Sequence, residues 1–137
     1  MEKAGEMLER FGIEHETRVI SAHKTPDHAI DFATTAADQG FGVLIAGAGK
    51  AAHLAGVLAA KSLLPVIGVP LAATLDGMDA LLSTVQMPTG IPVATVAIDG
   101  SVNAALLAVA ILAVGDDELT ARLEDYRREL AEKTLAG

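Results

Sequence analysis

The sequence predicts an α/β domain: a three-layer α/β/α sandwich built on a parallel, doubly wound sheet of the flavodoxin or Rossmann type. Three observations carry this. Strand-like and helix-like segments alternate along the chain, the pattern of right-handed β-α-β crossovers. Two strand-like runs, Val43-Leu44-Ile45-Ala46 and Pro65-Val66-Ile67-Gly68-Val69-Pro70, are apolar at nearly every position, as strands covered on both faces must be. And 51% of the residues are hydrophobic while only 3% are aromatic, so the apolar mass is Ala, Val, Leu and Ile, which suits thin helices packed on a sheet. No linker, repeat or low-complexity stretch interrupts the 137 residues, so the expectation is one domain, 1–137, long enough to bury a core without staples.

The elements follow in order. Ala4, Met7, Leu8 and Phe11 recur at helical spacing and Gly12 stands where a C-terminal cap glycine belongs, so the chain opens inside a helix. Ile13 to Ile20 reads as a strand. Thr25 as N-cap, Pro26 at the first helical position and Asp27 in the first turn start a helix whose core face is Ala29, Ile30, Ala33 and Ala37, ended by Gly40. The strand Val43–Ala46 runs into Gly47-Ala48-Gly49-Lys50 and then a helix over about Ala51–Ser62. Pro65–Pro70 is the next strand and Gly77–Gln86 the next helix. Val93–Ile98 reads as a strand, Asn103–Val114 as a buried helix, and Asp116–Lys133 as an amphipathic one with Leu119, Leu123, Tyr126 and Leu130 on one face.

Charge and composition narrow the function. A net charge of -8 argues against a nucleic-acid backbone or an anionic membrane as partner. The absence of Cys excludes disulfides, thiolate metal sites and a cysteine nucleophile. The first residues are too polar for a signal sequence, and the apolar run Ala104–Val114 is far shorter than the roughly 20 residues of a membrane span. The cytoplasm is the expected compartment.

In a doubly wound sheet, ligands bind at the carboxyl ends of the strands. The loops there are Ser21–Thr25, Gly47–Lys50, Leu71–Asp76 and Asp99–Val102. Ser21-Ala22-His23-Lys24-Thr25-Pro26 sets a hydroxyl, an imidazole and a cation ahead of a helix N-terminus, whose free N–H groups and partial positive charge suit a phosphate. His23 is the residue there able to give and take a proton near neutral pH. Gly47-Ala48-Gly49-Lys50 lacks the third glycine and the ribose-binding acid of a dinucleotide fingerprint, and lacks P-loop spacing, but can bring backbone N–H groups close to a ligand. His53 falls in the first turn of the following helix, pointing back toward the strand ends. His15 and His28 read as surface residues, no carboxylate stands at metal-ligand spacing from any histidine, and no Gly-x-Ser-x-Gly elbow is present.

Taken in order, Ser21-Ala22-His23-Lys24-Thr25-Pro26, Ala46-Gly47-Ala48-Gly49, Ala51-Ala52-His53-Leu54, Leu64-Pro65-Val66-Ile67-Gly68-Val69-Pro70 and Ser83-Thr84-Val85-Gln86-Met87-Pro88 resemble the N5-carboxyaminoimidazole ribonucleotide mutase (PurE) family of purine biosynthesis, bacterial class. The resemblance covers nearly the whole chain. It implies a homo-octamer that moves a carboxylate from the exocyclic nitrogen to the ring C4 of an aminoimidazole ribonucleotide, with CO2 held in between and neither metal nor organic cofactor. It further implies His23 as the catalytic proton shuttle, Ser21 and Lys24 on the ribose phosphate, Ala48 and Gly49 around the ring and carboxylate, His53 on the CO2 side, and Leu54 among the substrate-binding residues.

Departures from the family pattern touch the same pocket. Lys24 stands where the family usually has Arg, which turns a bidentate grip into a point charge. Lys50 replaces a glycine, Ala55 replaces a proline, and Asp99-Gly100-Ser101-Val102-Asn103 is shorter than the family's loop. Family members begin with a strand and a Gly-Ser-x-Ser-Asp loop, and Met1 aligns inside the first helix. The expectation is a member without that amino-terminal segment, weakly active or inactive in this form. Two rival readings remain at this point: an aminoimidazole ribonucleotide carboxylase that uses free CO2, and a non-catalytic relative that binds nucleotides or only assembles.

Overall fold

Leu44–Gly49 forms β1, Val66–Leu71 forms β2 and Ala94–Thr95 forms β3 in a computed structural model that describes residues 1–137. All three strands are parallel, in the order β1-β2-β3. The register pairs Leu44 with Val66 through Gly49 with Leu71, and Ile67 and Gly68 with Ala94 and Thr95. Helices α1 (Glu2–Arg10), α2 (Pro26–Thr35), α3 (Leu54–Lys61), α4 (Met78–Val85), α5 (Ser101–Ala113) and α6 (Asp117–Ala136) flank the sheet, and a short 3-10 turn, Leu75–Gly77, leads into α4.

The all-apolar strands divide their side chains between two cores, which makes the third layer. Ile67 and Val69 pack with Ala104, Ala105, Ala108 and Val109 of α5 and with Ala4 and Leu8 of α1. Leu44, Ala46 and Val66 pack the other way, on Ala29 and Ala33 of α2 and Ala55 and Leu58 of α3. Alanine dominates both helix faces, so the helices lie close to the strands with little aromatic bulk. Glycine does the same at Gly68, where an added Cβ would sit 2.3 Å from Thr84 Cγ2 and 3.0 Å from Val93 Cγ1. The α4 helix can therefore rest directly on β2.

Most helix ends follow the expected signals. Pro26 opens α2, Gly12 takes φ +69 just past α1, and Gly40 takes φ +89 beyond α2. Asp116 caps α6, its side chain accepting from Leu119 N at 2.9 Å. Arg122 of α6 donates to Phe11 O at 2.8 Å, and Tyr126 lies 5.5 Å from the Phe11 ring, which ties the last helix to the end of the first.

Two expected strands differ. Residues 14–20 form none: no backbone group in that stretch makes a backbone hydrogen bond. A strand exists only through its ladder, and this segment meets no partner; the outer edge of β1 is likewise unpaired. The segment lies instead against α2, with Arg18 stacked 4.6 Å above the Phe32 ring and bonded to Glu16, while Val19 is fully exposed. The Val93–Ile98 strand shrinks to Ala94–Thr95 because it is an edge paired on one side only. Val96 N and Asp99 N still reach Gly68 O and Pro70 O, at 3.1 and 2.8 Å. Helix α3 begins at Leu54 rather than Ala51, since Lys50 adopts φ +58 and His53 N turns back to Ala51 O. No helix is long and apolar enough to cross a membrane.

Candidate functional site

The loop ahead of α2 is closed on itself. Thr25 N donates to Ser21 O at 2.9 Å, Ser21 N donates to Thr25 Oγ1 at 2.9 Å, and that hydroxyl donates back to Ser21 O at 3.0 Å. Lys24 N donates to Ser21 Oγ at 3.1 Å. Thr25 stands at the N-cap position, yet its hydroxyl is spent on Ser21 and caps no helix N–H. No side chain caps the first-turn N–H groups of α2, and Lys24, two residues before the helix, makes no salt bridge. This is a locally positive corner on an acidic protein.

The closed loop holds His23 over the start of α3. Its Nε2 lies 2.8 Å from Nδ1 of His53, and the two rings meet edge to face, 84° apart with centroids 4.9 Å from each other. Packing of α2 on α3 brings together two histidines separated by 29 intervening residues. His53 is anchored by its backbone: its N–H donates to Ala51 O at 2.9 Å and its carbonyl accepts from Val57 N at 3.0 Å, between the buried Ala52 and Ala55. Both imidazoles are exposed.

Ala48 and Gly49, half-buried, end β1 beside this pair. A Cβ on Gly49 would come within 3.0 Å of Ala73 Cβ and 3.3 Å of Leu71 O, so the adjoining loop after β2 closes directly on the glycine. Leu54 opens α3 and packs against the core on the α2 side. Across the sheet ends, Asp99, itself at φ +57, accepts from Ala72 N at 3.0 Å and so links the loops after β2 and β3.

Ser21, His23, Lys24 and His53 thus share one corner, with Ala48, Gly49 and Leu54 on the elements that frame it. Sequence reading did not foresee the direct contact between the imidazoles, the left-handed Lys50 or the Asp99 bridge. A lysine ending the Gly47-Ala48-Gly49 run, where the resemblance expects glycine, was the available signal for Lys50. A groove of about 480 Å3, lined by Arg18, Val19, Ile20, Thr25, His28, Asp31, Phe32 and Thr35, includes neither His23 nor His53. It is the space beside the unpaired 14–20 segment, not the corner with the chemistry. No three His, Asp or Glu side chains converge as metal ligands. In that groove's wall the Arg18 guanidinium hydrogen-bonded to Glu16 holds the Glu16 carboxyl below its ordinary value.

The family described as "AIR carboxylase" matches residues 1–133. The chain belongs to that family. Among the relatives, the "N5-carboxyaminoimidazole ribonucleotide mutase" of Pyrococcus abyssi is 53% identical over 131 residues, 95% of this chain and 75% of its own length. The Escherichia coli K12 protein of the same name is 51% identical over 138 residues, 98% of this chain and 82% of its own length. The "Phosphoribosylaminoimidazole carboxylase, chloroplastic" of Vigna aconitifolia is 52% identical over 136 residues, and there this chain spans only 24% of the plant protein. A crystal structure of Treponema denticola PurE superposes with TM-score 0.83 at 28% identity, covering 98% of this chain and 85% of that one. Membership in the family fits the parallel three-layer architecture.

Proposed function

We propose that this chain is an N5-carboxyaminoimidazole ribonucleotide mutase, an isomerase of purine biosynthesis. Identities of 53% and 51% to proteins of that name, over nearly all of the chain, carry the reading. His23 is the catalytic residue. As an imidazolium it gives a proton to the exocyclic nitrogen while the bond from that nitrogen to the carboxylate breaks and CO2 leaves. The electron-rich C4 then attacks the CO2 carbon, and the neutral imidazole takes the proton that C4 loses. No proton is consumed, so one histidine suffices.

Ser21, Lys24 and the uncapped N–H groups at the start of α2 take the ribose phosphate. Ala48 and Gly49 leave room for the planar ring, and His53 and Leu54 border the side where CO2 is held. No metal or organic cofactor enters this scheme. We place the enzyme in the cytoplasm, because a phosphorylated ribonucleotide does not cross a membrane unaided. We also read it as a homo-oligomer, an octamer by the family resemblance; Leu75, Met78, Leu82 and Val85 form an exposed apolar stripe along α4 that supports association.

A second reading, direct carboxylation of aminoimidazole ribonucleotide by free CO2, is favoured by the family's description and by the plant relative's name. The test supplies purified protein with N5-carboxyaminoimidazole ribonucleotide or with aminoimidazole ribonucleotide plus bicarbonate and CO2. Formation of the C4 carboxylate from the first substrate, at a rate the second does not approach, is the expected result. Turnover of the second alone would make the chain a carboxylase.

A further inference from the structure

We infer that His53 is a positioning residue that acts through His23: it holds the His23 ring by Nε2, so that Nδ1 of His23 is the one nitrogen through which protons reach and leave the substrate. The inference rests on the reading of His23 as the proton carrier. Two ring nitrogens 2.8 Å apart cannot both present a lone pair, nor both present a hydrogen. One proton therefore lies between them. His53 is the fixed partner, because its peptide groups are bonded on both sides at the start of α3 and its neighbours Ala52 and Ala55 are buried. His23 has an exposed side chain whose hydrogen bond is to His53.

With the shared proton on His23 Nε2, the His53 Nδ1 lone pair accepts it in both states of the cycle. Neutral His23 then has a bare Nδ1, and charged His23 has an N–H there; nothing changes at Nε2. The donation to the exocyclic nitrogen and the removal of the C4 proton thus occur at the same atom, without a ring flip. These two substrate positions are on adjacent ring carbons, so a ring held in one orientation serves both. An unanchored imidazole would exchange tautomers and rotamers between the two steps.

The test compares wild type with His53→Asn, whose side-chain oxygen replaces the Nδ1 acceptor, and His53→Phe, which keeps the bulk and removes the acceptor. Nitrogen-15 NMR of the imidazoles in the whole protein is expected to show His23 as a single Nε2–H tautomer in wild type and His53→Asn, and as the tautomer mixture of free imidazole in His53→Phe. Turnover of N5-carboxyaminoimidazole ribonucleotide is expected to lose about ten- to a hundredfold in kcat in His53→Phe, a share of what a general acid–base group supplies, with KM within about threefold and most of the loss recovered in His53→Asn. Identical His23 spectra in all three proteins would overturn the inference whatever the turnover. So would unchanged kcat in His53→Phe, or a loss confined to KM. His23→Asn separates the two claims: if it turns over normally, His23 is not the proton carrier; if it is inactive while His53→Phe works like wild type, only the role of His53 fails.

Discussion

Gly68 and Thr84 compete for one space: a Cβ at position 68 would lie 2.3 Å from Thr84 Cγ2, with Val93 Cγ1 at 3.0 Å behind it. Thr84 is buried and its hydroxyl donates to Ala80 O at 2.7 Å, so it cannot swing away without losing that bond. Gly68→Ala is expected to destabilise the fold by about 1–3 kcal/mol, the usual cost of overpacking. Urea unfolding reads this as a lower midpoint at unchanged slope. Adding Thr84→Ser removes the clashing methyl and keeps the hydroxyl, so the double variant should regain much of the loss. A midpoint for Gly68→Ala equal to wild type would show that α4 moves off β2 freely.

Lys50 bears a side chain at φ +58, in the left-handed region, directly after the last residue of β1. That conformation costs an L-residue about 1–2 kcal/mol, while glycine pays about 0.5–1 kcal/mol in chain entropy. Lys50→Gly should therefore stabilise by up to about 1 kcal/mol, a rise in Tm of roughly 1–4 °C for a domain of this size. A fall in Tm on calorimetry would mean that the lysine side chain makes a favourable contact outweighing its backbone strain.

His23→Asn should keep the fold, since the imidazole is exposed and none of the bonds that close the Ser21–Thr25 loop uses it. Its kcat should fall by about a hundredfold or more, the scale of a lost general acid–base group. Steady-state kinetics together with an unfolding curve check both halves. Wild-type turnover in this variant would remove His23 from the reaction.

Lys24 should act on binding instead. It makes no salt bridge and stands just ahead of the uncapped start of α2, and a phosphate held there is bound alike in the ground and transition states. Lys24→Ala is expected to raise KM by about tenfold, the equivalent of one charged contact of roughly 1.4 kcal/mol, with kcat little changed. Lys24→Arg, which can grip with two N–H groups, should lower KM. A drop in kcat at constant KM would place the lysine at the reacting atoms.

What could be read from the residues alone is whatever local chemistry or burial on both faces dictates. The apolar runs that became β1 and β2 have no solvent-facing alternative, so their place in a parallel sheet covered on both faces was legible. The Thr25-Pro26 helix start, Gly12 and Gly40 were legible because a backbone conformation demands those residue types within a few positions. The Ser-Ala-His-Lys loop, too, could be placed ahead of a helix N-terminus from its sequence context.

Features that depend on a distant partner were not legible. The stretch from Ile13 to Ile20 has strand-like composition, but a strand exists only through its ladder, and this segment pairs with no edge and lies on α2 through Arg18 and Phe32. The same dependence shortened β3 to the two residues that face Ile67 and Gly68. Thr25 was expected to cap α2, and its hydroxyl turned back to Ser21 because the loop geometry put that carbonyl closer than any helix N–H. The contact between His23 and His53 arises only when the alanine faces of α2 and α3 come together on β1, since nothing in either local segment specifies a partner so far along the chain. Local sequence chose the residue types of the site; packing of distant elements set the distance between its imidazoles.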